Sequence, residues 1–553
     1  MKKSLILLSL VFPTLSLLAQ VDLGPGSLTG SIESTGQWYQ DDKDLNFEQP
    51  DDPFRSNNYI KFDYTLGKFS AGMQYEAYLP SALLGYSEKL NDNKIATYYF
   101  RYKGDKVDVT AGNFYDQFGS GLVYRSWEDR QIGINNSMRG VRVAYTPNDF
   151  TTLKGIVGNQ RIGFETSAGT IGGLDLETNL LRMFNSESNS TLNLGLSYVG
   201  QHESYTGAIE DFPQNASNFS TRLGYSGSSG FYGNVEYIHK GEQPVLSAGV
   251  PSEKYYDGNA LLINTGYSTR GFGVNATFRR MENMGMYAER ALSEPSANVY
   301  NEGIVNYIPA LTRQHDYLLT NIYVYQAQPN INFEKEEAGE IGGQLDLYYN
   351  FKKGSALGGK YGTKLAVNAS YWNGLNANFD GDYYGTKYFD FGKKFFHDVN
   401  FEINKKWTDK FSMIFTYANI YYNKGIVEGG NYSSILSNVV VGDFLYKLNP
   451  KNSVRFELQH LQTKRDRKNW AAALVEYNFN YNWNFYLSDT YNYGNDDKDK
   501  RFHYYSVGGS YSKESTRVSL NYGRQRGGLI CVGGVCRFVP ENTGLTVSLY
   551  QSF

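Results

Sequence analysis

The sequence predicts an all-β chain, a large single-chain antiparallel transmembrane β-barrel of about 24 to 26 strands with short periplasmic turns and long extracellular loops. Three observations carry that prediction. Apolar and polar residues alternate along the whole chain, short and long connections take turns, and beyond an amino-terminal leader no apolar run is long enough for a membrane helix.

Alternation is what a barrel wall requires, because successive side chains face lipid and lumen in turn. Phe69, Ala71, Met73, Tyr75, Ala77 and Leu79 fall on one face of a strand, with Ser70, Gly72, Gln74 and Glu76 on the other. Leu192, Leu194, Leu196 and Tyr198 alternate with Asn193, Gly195 and Ser197, and Leu345, Leu347 and Tyr349 with Gln344 and Asp346. Val518, Leu520 and Tyr522 repeat the pattern against Arg517, Ser519 and Asn521. A soluble β-sandwich also alternates, but it does not need so many strands with Tyr at their ends, and it breaks into separate cores.

Connection length is an independent test. From the amino end, long segments near 40–53, 80–94 and 116–137 alternate with tight turns at 67–68, 103–106 and 147–149. From the carboxyl end, tight turns at 513–514, 481, 449–452 and 408–409 alternate with external loops such as 494–500 and 373–392. The two counts collide between 283 and 362. Either a further strand lies near 300–308 or one strand has been divided in two; the total is even, and ~26 is favoured.

Composition fits the same wall. Tyr 48, Phe 33 and Gly 58 stand beside Cys 2 and Pro 14; aromatic rings gather in girdles at the two interfaces, and Gly and small polar residues suit a hydrated lumen. A net charge of -3 gives no case for a nucleic-acid partner. Lys2 and Lys3 precede an apolar run from Leu5 to Leu18, the pattern of a secretory signal over 1–20 cleaved near Ala19 or Gln20, with 21–553 as the barrel. No Cys follows that run to carry a lipid, so the fold itself must hold the protein in the outer membrane. At the other end Leu545, Val547, Leu549 and Phe553 share one face and the chain stops on the aromatic. Outer-membrane barrels end in this way. The resemblance implies a barrel-assembly signal read by the barrel-assembly machinery, a last strand closing on the first, and outer-membrane lipid and lipopolysaccharide as surroundings.

The two cysteines form the most legible local constellation. Ile530-Cys531-Val532-Gly533-Gly534-Val535-Cys536 is symmetric about Gly533-Gly534, a two-residue hairpin turn. That turn sets Val532 opposite Val535 and Cys531 opposite Cys536 in the neighbouring non-hydrogen-bonded pair, where side chains come closest. A cross-strand disulfide is expected in an oxidising compartment, with free thiols the less favoured alternative. Two Cys without nearby His cannot complete a structural zinc site, so no metal or cofactor is expected. The hairpin precedes the terminal strand and is expected to project at the extracellular rim, with Arg524, Arg526 and Arg537 around it as solvated charge.

The chain also resembles the uncharacterised outer-membrane barrel proteins of the Bacteroidota, whose only label is a domain of unknown function. The likeness is carried by Gly112-Asn113-Phe114-Tyr115-Asp116-Gln117-Phe118-Gly119-Ser120-Gly121-Leu122, then Arg125, Glu128-Asp129-Arg130 and Asn135-Asn136-Ser137. Leu311-Thr312-Arg313-Gln314-His315, Gly358-Gly359-Lys360-Tyr361-Gly362 and the tail over 523–536 share it. It spans the mature chain and implies an outer-membrane barrel without naming an activity.

A barrel of this size either conducts or carries a plug. Only about a dozen residues separate the cleavage region from the first strand near Gly30, so occlusion is expected from the loops, chiefly 282–313 and 116–139. Asp116, Arg125, Glu128, Asp129, Arg130, Arg139 and Arg142 mix both signs, as a constriction that orients polar solutes does. The competing and slightly favoured reading is an ion-pair network that pins the loop. A porin-like channel for polar solutes is therefore the first expectation. A non-conducting accessory barrel of a secretion or assembly system, with envelope protein partners, is the alternative. Hydrolysis is remote: His202, His239, His397, His460 and His503 fall near external strand ends, some beside Glu203 or Asp398, but no nucleophile motif or metal spacing accompanies them.

Overall fold

Period-two alternation becomes a wall only if the strands close, since an open edge leaves unpaired backbone groups that lipid cannot satisfy. The computed structural model describes residues 24–184, 188–205, 211–247, 250–290 and 303–553. The expected signal segment 1–20 lies outside them. Among the described residues, one 24-stranded antiparallel sheet runs from Ser27–Tyr39 to Asn542–Ser552 and closes on itself. Closure sets Glu33 opposite Tyr550 and Gly36 opposite Val547. Gly30 and Phe553 exchange both backbone hydrogen bonds, at 2.9 and 3.0 Å. The terminal aromatic thus sits at the seam. No described helix is long and apolar enough to cross a membrane.

The faces follow the alternation. Phe69, Met73, Leu196, Tyr198, Leu345, Leu520 and Val547 are exposed on the outside, whereas Gln74, Glu76, Ser197 and Val199 are buried on the lumen side. Connections at one end are short, among them 67–68, 104–106, 149–150, 270–271, 450–451, 480–482 and 514–515. At the other end lie 40–53, 79–92, 115–137, 203–214, 283–338, 424–433, 492–502 and 526–541, the extracellular side by the rule for such barrels.

Two expectations are corrected. The count is 24 and not 26, because Phe272–Glu282 pairs directly with Gly339–Phe351, which leaves no room in the wall for a strand near 300–308. Residues 303–308 form no strand of the wall, and 300–302 lie outside the described residues. Among the described residues of this connection, the apolar side chains of Leu319, Tyr325 and Ile331 are buried. They pack in the lumen and do not face lipid. The segment 373–392 is likewise no loop: Thr363–Asp380 and Tyr383–Lys406 run through it as one long hairpin whose turn is 381–382, bent by three register shifts. It leans on the neighbouring wall, where the Tyr256 hydroxyl donates to the Asp382 carbonyl at 2.7 Å.

Much of the core lies inside the cylinder. One hydrophobic cluster joins Leu319, Tyr323 and Tyr325 of 283–338 to Trp372, Phe396, Val441 and Trp470 of the wall. A second, built on other strands, joins Phe118, Leu122, Val123 and Met284 to Ile156, Ile171, Ile238 and Met281. Fully burying a side chain of this size stabilises by about 1.5–3 kcal/mol. The inward-folded loops are therefore docked on both sides.

Candidate functional site: a lumen closed by inward-folded loops

The loop 115–137 folds inward because its middle is apolar: Phe118, Leu122, Val123 and Tyr124 are all buried. Its leading acid then meets the wall. Asp116 accepts from Arg142 Nε at 2.5 Å and from Lys154 Nζ at 2.9 Å. Arg142 also lies 3.4 Å from Asp108, which Arg101 holds at 2.5 Å. Arg130 is held by Glu33 at 2.6 Å and Glu128 at 3.0 Å and stacks over the Tyr59 ring. Glu128 also accepts from Gln74 at 3.0 Å, and Asp129 caps its own turn by accepting from the Gln131 and Ile132 amides. Arg125 stacks on Trp127 and Tyr307, which ties this loop to 283–338. Every one of these charges is engaged. Arg139 is the exception in placement: it shares the outward face of Val141 and Val143 and lies over the outward Tyr98 ring, because parity along Met138–Asn148 sends it away from the lumen.

The connection 283–338 is anchored by charges that the sequence reading did not single out. Glu340, fully buried in the wall, accepts from Arg279 Nη2 at 2.7 Å, from the Tyr325 hydroxyl at 2.5 Å and from the Gln328 amide at 2.8 Å. Arg279 also donates to the Pro309 carbonyl at 2.8 Å. Trp372 Nε1 donates to the Leu311 carbonyl at 3.0 Å, and Gln459 Oε1 accepts from the Leu319 amide at 2.8 Å. Arg290 pairs with Glu203 at 3.2 Å. Arg161 and Glu76, both buried, form a bidentate pair at 2.7 Å beneath 79–92. A usable signal existed for three of these wall charges: Glu76, Arg279 and Glu340 fall on the lumen parity of their strands, where an isolated charge would be costly without a partner, whereas Arg161 shares the parity of the outward Leu153 and Val157 and is turned inward past a register shift after Asn159.

The disulfide Cys531–Cys536 is present, in the expected register across a Gly533-Gly534 turn whose φ values of 58° and 84° suit glycine. Its place differs from the expectation. The hairpin belongs to a small separate sheet and folds inward: the Ala310 amide donates to the Gly534 carbonyl at 2.9 Å, and the Tyr307 hydroxyl to the Gly533 carbonyl at 2.9 Å. Arg524 is held by Asp42, Arg526 donates to the Asn321 carbonyl, and Arg537 to that of Gln131. These arginines tie loops together and are not solvated rim charge. Burial raises the Asp42 carboxyl, but hydrogen bonds from Thr543 and Arg524 outweigh it and hold the group below its ordinary value. Replacing both cysteines by Ser should loosen only this hairpin, by about 2 kcal/mol for so short a closed loop. Protease cutting within 526–541 should rise while heat-resistant migration of the barrel on gels is unchanged; lost heat resistance would show that the wall depends on the bond.

Five histidines lie on the outer wall. His397 contacts Lys394 and Asn419, His460 the Tyr493 hydroxyl, and His503 Nδ1 donates to Asp489 at 2.6 Å while the ring stacks on Tyr491. His202 meets Asn215, and His239 is exposed beside Tyr237 on the same outward parity. The acidic neighbours in sequence, Glu203 and Asp398, do not serve them, and Asp489 meets only His503 of the five. Glu203 is bound to Arg290, and Asp398 is buried inward while His397 faces out.

A family of unknown function (DUF6029) matches residues 1–553. The chain belongs to that family. No curated protein matches the sequence. Among solved structures, the siderophore receptor PirA from Pseudomonas aeruginosa is similar at 10% identity and a TM-score of 0.41, covering 95% of this chain and 80% of that one. A BenF-like porin from Pseudomonas fluorescens Pf-5 is similar at 10% identity and 0.35, covering 96% and 98%. The P pilus usher (PapC) translocation pore is similar at 8% identity and 0.43, covering 95% and 99%.

Proposed function

We propose that the protein is a porin-like channel of the outer membrane for polar solutes, narrowed from outside by 115–137, 303–338 and 526–541. The observation that supports this reading is the contrast between the two halves of the lumen. The extracellular half is filled by docked loops. Below them the inner wall carries charges of both signs, including Arg222 with Asp175 and Glu177 at 2.6 and 2.5 Å, and Arg455 with Asp443 and Glu457 at 3.0 and 2.5 Å. A wall lined with such paired charges keeps a passage wet and favours dipolar solutes over apolar ones. The buried ion pairs hold the narrowed state.

Asn306 Nδ2 donates to the Met284 carbonyl and the Met284 amide to the Pro329 carbonyl, so the chain flanking 309–327 comes together at Met284. A short Gly-Ser linker can therefore replace 309–327 without stretching the wall. In planar bilayers the intact protein should give small steady steps and the linker variant steps several-fold larger. Silence from both, with larger envelope components copurifying from native membranes, would favour the accessory-barrel reading instead.

A further inference from the structure

The long extracellular connections enclose a cavity of about 340 Å³, within the range of small-ligand sites. Its lining comes from Trp127 and Ile134, from 285–287, 304–308 and 326–337, from 426–429 and from the tip of the disulfide hairpin, with Val245 near the end of its strand. Two features distinguish it from a packing defect. The first is chemical mixture: Trp127, Tyr307 and Phe333 line it together with the amides of Gln326, Gln328 and Asn330. The second is unmet hydrogen bonding. Among the described residues, Trp127 Nε1, Asn306 Oδ1 and Glu337 Oε1 are buried without a partner, and all three residues line this cavity. Asn306 and Glu337 are 0% and 7% exposed. Buried polar groups are ordinarily satisfied, so one donor and two acceptors without partners among the residues that line a single space suit a ligand that supplies both kinds of group.

We propose that this cavity is an extracellular binding site for a small neutral polyhydroxylated ligand, of the size of a mono- or disaccharide. Hydroxyl groups donate and accept at once, which matches the Trp127 donor beside the Asn306 and Glu337 acceptors, and sugar C–H faces suit the aromatic and aliphatic lining. An anion finds no free cation here. Lys335 is the lysine of the lining, and its ammonium donates to the Gly425 and Ile426 carbonyls. A cation is disfavoured as well. Burial pushes the Glu337 carboxyl up to about 7, against the pull of Lys335 and Lys393, so much of it is uncharged at neutral pH. The Glu428 carboxylate accepts from the Tyr422 hydroxyl at 2.9 Å and faces Lys424, and Glu334, the third acid of the lining, is exposed to solvent. This site does not require that the barrel conduct.

The test is titration calorimetry on the full chain in detergent, with glucose, N-acetylglucosamine and maltose as neutral probes, and spermidine and inorganic phosphate as charged ones. Saturable binding of at least one sugar is expected, without binding of either ion. Trp127→Phe keeps an aromatic ring and removes the donor, and should weaken that sugar about tenfold, the loss of one well-placed hydrogen bond. Glu337→Gln keeps shape and polarity and should retain sugar affinity within about twofold. Heat-resistant migration on gels shows that each variant is folded. The proposal is overturned if no sugar binds, if Trp127→Phe binds as the parent does, or if spermidine binds and Glu337→Gln abolishes it. The readout is equilibrium binding, so a silent bilayer experiment leaves it standing.

Discussion

Replacing Glu340 by Ala should free the internal loop. Glu340 is the one wall carboxylate that receives Arg279, the Tyr325 hydroxyl and the Gln328 amide together, and both ionic partners are buried. Removing one member of a buried pair leaves the other charge uncompensated, at a cost of about 3–5 kcal/mol. That cost falls on docking of 309–328 rather than on the wall, whose backbone ladder through Gly339–Phe351 is untouched. Hydrogen exchange at the Ala310, Leu319 and Gln328 amides, all bonded in the docked state, should accelerate by two to three orders of magnitude. Bilayer conductance should rise with it. Glu340→Gln is the control: it keeps an acceptor for Tyr325 and leaves Arg279 without its countercharge, so an intermediate effect is expected. Unchanged exchange in Glu340→Ala would mean that the hydrophobic clusters alone hold the loop.

An arginine on the lipid face should block assembly outright. Val547 lies outward between Gly36 and Leu520 at the closing seam, and Leu194 shares the outward parity of Leu196 and Tyr198. A cation near the bilayer midplane on that face costs about 2–4 kcal/mol, and at Val547 it also falls in the strand on which closure depends. Val547→Arg and Leu194→Arg should therefore reduce the heat-resistant folded fraction in membranes sharply. Asn193→Arg, one residue away but on the hydrated lumen side, should be tolerated. Equal folded yields for the three variants would contradict the assignment of faces.

What was legible in the sequence was whatever depends on residues close together in the chain. Parity along a strand decides which side chains meet lipid, a Gly-Gly turn decides which cysteines face each other, and most tight turns mark the periplasmic end, with 163–164 and 381–382 as exceptions at the other. The terminal group Leu545, Val547, Leu549 and Phe553 sits at the seam where such a strand must lie. Its reading as a barrel-assembly signal is a further proposal, open to test by truncating Phe553 and following membrane yield. Among the charged loop residues, Asp116, Glu128 and Arg130 are drawn into lumen networks, and the pinning network is the reading their geometry favours over a free selectivity ring.

Tertiary structure alone decided where the long connections go. An apolar stretch such as Leu319 to Tyr325 reads the same whether it faces lipid, a partner or its own lumen, because hydrophobic burial carries no direction. The choice is made by partners far away in sequence: Phe396 for Tyr325, Gln459 for Leu319, Trp372 for Leu311. The same holds for the disulfide hairpin. Its pairing is local and was predictable, whereas its inward fold rests on Ala310 and Tyr307, more than 200 residues earlier. Alternation and turn chemistry therefore determine a closed wall with two faces. What fills that wall is set by buried charges and carbonyls that find partners only once the cylinder brings them together.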